Sequence, residues 1–231
     1  MLNAELQPSK ITETLEKLHV RIEHRFPSSG LGQTCADLIV FSQQTPLVTA
    51  EIIKPIWWLR WTIGIFIGMV LLALVLTISS LNVTVGALNI SDLIGLLEAT
   101  TNEIVLIAAG IFSLSTIETR VKRARVVDAL NKLRSVAHIV DMKQLSKDPD
   151  DPNSQLTDTE LGRYLDYCSE MLALISKIAF LYIAQFDDPD ANQSVNELET
   201  LTTGLSRKIW QKIAILHNRK PDSGSLERGG A

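Results

Sequence analysis

The clearest chemical signal in the chain is a run of oxygen-bearing side chains at alternate positions. Asp188, Asp190, Asn192, Ser194 and Asn196 are followed by Glu199 at the twelfth place counted from Asp188. Oxygen ligands at this spacing between two helices are what a calcium loop of the EF-hand type supplies. Two residues argue against it: the sixth place, where the sharp turn needs glycine, is Gln193, and the second is Pro189. The same residues suit a helix start, with Asp188 as N-cap, Pro189 in the first turn and Asp190 near the positive end of the helix dipole. The helix start is preferred, and Asp188, Asp190, Asn192 and Glu199 are kept as the alternative calcium set.

Glu103 is the one carboxylate expected to reach into hydrocarbon. Acids placed there are often ion or proton sites, because burying a charge is costly, although near an interface the side chain can reach water. The remaining chemistry is thin. His19, His24, His138 and His217 form no metal pattern, and no serine or cysteine sits in a nucleophile motif. His138 and Asp141, three apart, suit a helix-surface hydrogen bond better than catalysis. Cys35 and Cys168 have no ligand-like spacing and are expected as free thiols. Neither enzymatic activity, nor a cofactor, nor nucleic-acid binding is expected.

The elements that hold these residues follow from hydropathy. Residues 61–91 are 31 positions without a charge, and about 20 apolar residues cross roughly 30 Å of hydrocarbon. This stretch begins far behind a charged N-terminal segment, so it reads as an internal anchor, not a signal peptide. The first span is placed at residues 61–81. The second is harder, because residues 104–117 give only 14 uncharged positions, about 21 Å of helix. Extending it back to residue 99 suffices and brings Asn102 and Glu103 into its outer end.

Orientation follows from the charges. Lys54 and Arg60 precede the first span, Arg120, Lys122, Arg123 and Arg125 follow the second, and residues 82–98 between them hold neither Lys nor Arg. The positive-inside rule then puts both flanks in the cytoplasm. Trp57, Trp58 and Trp61 suit the headgroup interface on that side, and the basic cluster suits anionic headgroups as well as topology. Gly64 and Gly68, four apart in the first span, allow two helices to approach closely, either in a dimer or against the second span.

Outside the membrane the pattern is helical throughout. Ile11, Leu15, Leu18 and Ile22 form one stripe in an N-terminal segment, residues 1–55, whose later part is interrupted by Pro46 and Pro55 and is expected as short helical pieces. Val126, Leu130, Leu133, Ala137 and Val140 continue the second span as a coiled-coil-like seam ending near Leu145, and that seam is expected to form oligomer contacts. A loop with Pro149 and Pro152 follows. Thr157 and Glu160 form a capping box opening a further helix with Leu161, Leu165, Cys168, Leu172, Ile175, Ala179, Tyr182 and Phe186 on one face, and a last one opens at Asp188 with Leu198, Leu201, Leu205, Ile209, Ile213 and Leu216 as its stripe. Residues 171–186 are apolar enough to raise a third span, but Lys177 in the middle and the helical periodicity favour a buried core helix. Residues 118–216 therefore read as a three-helix domain, with a polar, disordered tail from 217.

The strings Arg134-Ser-Val-Ala-His-Ile-Val-Asp-Met-Lys-Gln-Leu-Ser-Lys-Asp-Pro149, Gly162-Arg-Tyr-Leu-Asp-Tyr-Cys-Ser-Glu170 and Leu201-Thr-Thr-Gly-Leu-Ser-Arg-Lys-Ile-Trp-Gln-Lys-Ile213 resemble those of a family of bacterial two-span membrane proteins with no assigned activity. The resemblance covers residues 57–216. It implies a bacterial inner membrane and brings no catalytic residue or cofactor.

These readings converge on an all-α protein with a transmembrane hairpin, residues 56–117, and a cytoplasmic helical bundle. Its expected partners are the bilayer, further copies of itself and a cytoplasmic protein that the bundle docks. The rival reading is a channel or pore-forming effector assembled around Glu103, Asn102, Ser113 and Thr116.

Overall fold

The computed structural model describes residues 6–80, 90–147, 156–184 and 186–218, and these are helical apart from short connections. The six helices are α1 Pro8–Arg25, α2 Gly30–Ile53, α3 Trp57–Ser80, α4 Ile90–Leu145, α5 Asp158–Ile183 and α6 Pro189–Asn218. They divide into two compact units, Met1–Ile53 with Arg125–Ala231 and Lys54–Ala124. Of the connection expected at residues 82–98, residues 82–89 lie outside the described residues, as do most of the proline loop and the tail from 219, while residues 90–98 are helical and open α4.

The first unit is a bundle. Pro8 sits in the first turn of α1, where its missing N–H costs nothing, and Ile11, Leu15, Leu18 and Ile22 are all buried. The chain then turns through Ser28, whose φ of 56° lies in the left-handed region. The Ser29 hydroxyl accepts the Gly32 N–H at 3.1 Å and so caps α2. The chain does not break at Pro46: α2 runs unbroken through it. Its inward residues Leu31, Cys35, Leu38 and Ile52 are buried, and that burial offsets the one backbone bond proline removes. Hydroxyls stitch α2 to its neighbours, Ser42 to Thr12 at 2.8 Å and Thr45 to Tyr182 at 3.2 Å.

α5 is the centre of this unit and packs against α1, α2 and α6. The Thr157–Glu160 capping box opens it, with both reciprocal bonds present. The stretch weighed as a third span lies in the bundle core, where Met171, Leu172, Ile175, Ile178, Ala179 and Tyr182 are buried, while Lys177 is exposed. Burial extends beyond the single stripe read from the sequence, to Tyr164, Tyr167, Leu174 and Leu181. A helix buried on most of its circumference needs more than two neighbours. That is why the unit is larger than the three-helix domain expected for residues 118–216: α1 and α2, expected as a separate segment over residues 1–55, belong to the same core.

The expected oligomer seam on α4 also needs correction. Val126, Leu130, Leu133, Ala137 and Val140 are buried within the chain's own core and are not available to a partner. On the same helix Arg134 pairs with Glu197 of α6 at 3.1 Å, and Lys212 of α6 donates to the Gln144 carbonyl at 3.2 Å.

The second unit is a pair of helices. After the break at Lys54 to Ile56, where Pro55 withholds an N–H, α3 starts with Leu59 and Arg60 N–H groups bonded to the Ile56 carbonyl at 3.1 and 3.2 Å. α3 and α4 run antiparallel: Ile56 approaches Glu118, and Phe66 approaches Gly110. A Cβ on Gly110 would lie 3.0 Å from the Phe66 ring, so glycine there lets the ring seat against the α4 backbone. Among the described residues, two helical stretches are long and apolar enough to cross a membrane. The first, Gly30–Ala73, includes α2 and the part of α3 up to Ala73. Leu31, Cys35, Leu38 and Ile52 of α2 are used in the bundle core, whereas Ile65, Met69, Leu72, Val75 and Leu76 of α3 are exposed, so α3 is the spanning candidate within it.

Candidate functional site

The exterior of the helix pair is its most unusual surface. Ile65, Met69, Leu72, Val75 and Leu76 on α3, and Leu97, Ile104, Val105, Leu106 and Phe112 on α4, are all exposed, Phe112 at 75%. Soluble monomers rarely expose contiguous apolar patches larger than a few hundred Å². At the start of α3, Trp57, Trp58 and Trp61 are exposed as well, at 65 to 68%.

Charge is organised at this same end of the pair. Lys122 and Glu118 form an ion pair of 2.8 Å whose side chains are only 17% and 22% exposed. The Lys122 ammonium holds the Glu118 carboxyl below the usual carboxylate range, first by its hydrogen bond and then by its charge, assisted by Arg60 and the Ile56 N–H and opposed by burial. Glu118 therefore ties the beginning of α3 to the end of the apolar stretch of α4. Lys122, expected among the headgroup ligands, has its charge neutralised within the protein instead. Arg60 and Arg120 are exposed, Arg123 is partly buried, and Arg125 falls in the bundle unit. There Arg125 lines a cavity of about 360 Å³ with Glu51, Asp128, Lys132 and Tyr182.

Further along α4, Glu103 is half-buried and its Oε2 is shielded from solvent without a hydrogen-bond partner. Asn102 and Ser113 are exposed, and the Thr116 hydroxyl is bonded to the Phe112 carbonyl at 2.9 Å. A methyl group added at Gly64 or Gly68 would meet nothing within 4 Å, so neither glycine packs α3 against α4. The close approach falls at Gly110, which the four-residue glycine spacing did not single out, because which glycine meets a partner depends on the partner's ring.

Asp188 is 3% exposed, and its Oδ1 accepts the N–H groups of Asp190 and Ala191 at 3.1 and 3.0 Å. Asn192 donates from its side chain to Asp187 at 3.1 Å. Asp190, Asn192 and Glu199 lie along the continuous helix α6, so Glu199 stands about 16 Å along the axis from Asp188. The calcium set is therefore drawn out along a helix and not gathered round a point. Cys35 and Cys168 are free and fully buried. Burial pushes both thiols up to about 12, which leaves them protonated and unreactive.

One surface had no sequence signal. Ile139, Met142 and Leu145 follow one another at spacings of three on α4, exposed at 40, 67 and 59%. They interleave with the buried seam residues, and only the packing of the bundle decides which of the two sets faces out. Compared with family models, curated proteins and solved structures, the chain matches none.

Proposed function

We propose that this chain is a two-span membrane protein whose helical bundle, on the cytoplasmic side with both termini, docks further copies of the chain and a cytoplasmic partner without catalysis of its own. The observation that carries the membrane reading is the apolar exterior of α3 and of the first part of α4, faced with large aliphatic and aromatic side chains. Hydrocarbon solvates such a surface, whereas water does not. The tryptophans at the start of α3 and the basic residues after Ile117 support the orientation. The resemblance to bacterial two-span proteins supports an inner-membrane location.

For docking, the exposed stripe Ile139, Met142 and Leu145 replaces the buried seam as the proposed contact. The rival reading, a conducting hairpin assembly, draws on the unpartnered Glu103 Oε2. Both are tested on the full chain in native membranes. Docking predicts chemical crosslinks between copies that Met142→Lys removes and Glu103→Gln leaves intact. Ion flux from purified protein in liposomes, abolished by Glu103→Gln, would establish the channel in its place. Topology is read with an impermeant maleimide on Ser146→Cys in a background of Cys35→Ala and Cys168→Ala. The label is expected only after cells are opened, and labelling of intact cells overturns the orientation.

A further inference from the structure

The helix pair is not smooth where α3 and α4 meet. Thr62, Ile63 and Phe66 of α3 and Gly110, Ser113 and Ile117 of α4 line a groove of about 220 Å³ that opens to the outside of the unit. Its floor is the Phe66–Gly110 contact, where the α4 backbone is bare enough for the ring to lie 3.0 Å from a Cβ position. The Thr62 hydroxyl is turned to the Leu59 carbonyl at 2.8 Å, which leaves a largely apolar wall. The lined part of α4 is about 10 Å long. Along α4, Ser113, Ile117 and Arg120 follow at spacings of four and three and so share one ridge of the helix. Arg120 thus stands one turn beyond the groove. It is exposed, and among the described residues it makes no ion pair, in contrast to Lys122, which Glu118 neutralises.

An apolar groove continued at one end by an unneutralised guanidinium has the polarity of a phospholipid: hydrocarbon along the helices, then phosphate. We infer that this groove binds one anionic phospholipid, with part of an acyl chain against Phe66, Gly110 and Ser113 and the headgroup phosphate on Arg120. This inference rests on the reading that the helix pair lies in a bilayer. Guanidinium pairs with phosphate oxygens through parallel N–H donors, and a basic residue at a membrane surface gains roughly 1 kcal/mol from anionic lipid, about fivefold in retention.

The test uses the full-length chain, first floated with vesicles of equal phosphatidylglycerol and phosphatidylcholine, then released from detergent for native mass spectrometry of the lipids it keeps. Flotation with retention of phosphatidylglycerol over phosphatidylcholine by about fivefold is expected. Arg120→Gln should bring that ratio to about one while Arg120→Lys keeps most of it. Ser113→Phe, which fills the groove, should lower retention of both lipids while the protein still floats. Free glycerol phosphate should not compete, because it has no chain for the groove. A floating protein whose preference survives Arg120→Gln, whose retention survives Ser113→Phe, or whose lipid is displaced by glycerol phosphate overturns the groove alone. A protein that does not float overturns the membrane reading and the groove together.

Discussion

Asp188 shows how far a local pattern can be read and where it stops. The aspartate-proline start of α6 was legible because a cap is made within three residues, and the observed bonds to the Asp190 and Ala191 N–H groups are those of a cap. The calcium alternative shares the same residues and differs in what it requires of the charge. Asp188→Asn should therefore leave thermal stability nearly unchanged, since asparagine caps as well, while Asp188→Ala should cost about 1 kcal/mol. A calcium-dependent rise in melting temperature that Asp188→Asn abolishes would favour the loop instead. The two cysteines give a second residue-scale prediction. Their thiols titrate near 8.5 in an unfolded chain and near 12 when folded. The folded values are raised, so stability is fully present below about pH 8.5 and is lost as pH climbs toward 12. Alkaline unfolding followed by circular dichroism should show this decline, and it should be shallower in the Cys168→Ala variant.

At the scale of elements, most helices and several of their ends were legible, whereas the continuity of α2, the start of α4 at Ile90 and the partners of each helix were not. The stripes of α1, α5 and α6, the capping box at Thr157 and the end of α4 at Leu145 all follow from spacing and caps within a few residues. Pro46 misleads because the cost of a proline is local, whereas the burial of Leu38 and Ile52 that outweighs it depends on distant helices. The same limit hid the use of the α4 seam. Leu133 is fully buried, so Leu133→Asp places an unpaired carboxylate in the core and should unfold the bundle, at a cost of about 3 to 5 kcal/mol. Met142→Asp, on the outward face of the same helix, should change stability by no more than about 0.5 kcal/mol. Equal destabilisation by both, measured by urea unfolding in detergent, would contradict this division of α4 into inner and outer faces.

Over the whole molecule, the large apolar residues fall into two settings. The bundle puts its large apolar residues in a core that α1, α2, α4, α5 and α6 share, while the α3–α4 pair wears them outside. Hydropathy made the second of these legible, and only the fold shows that the N-terminal helices belong with the first. Within the candidate site, the tryptophans and arginines were visible as types in the sequence. The neutralisation of Lys122 by Glu118 and the groove at Gly110 were not, since each needs two helices in register. The tryptophans have one more consequence. Of the four in the chain, Trp57, Trp58 and Trp61 cluster at the beginning of α3, and only Trp210 belongs to the bundle. With Trp210→Phe, the intrinsic ultraviolet emission comes from a single narrow level of the protein. On the proposed membrane reading, the chain in vesicles carries its own optical depth gauge: bromine atoms placed high on the acyl chains should dim it more than bromines placed near the bilayer centre.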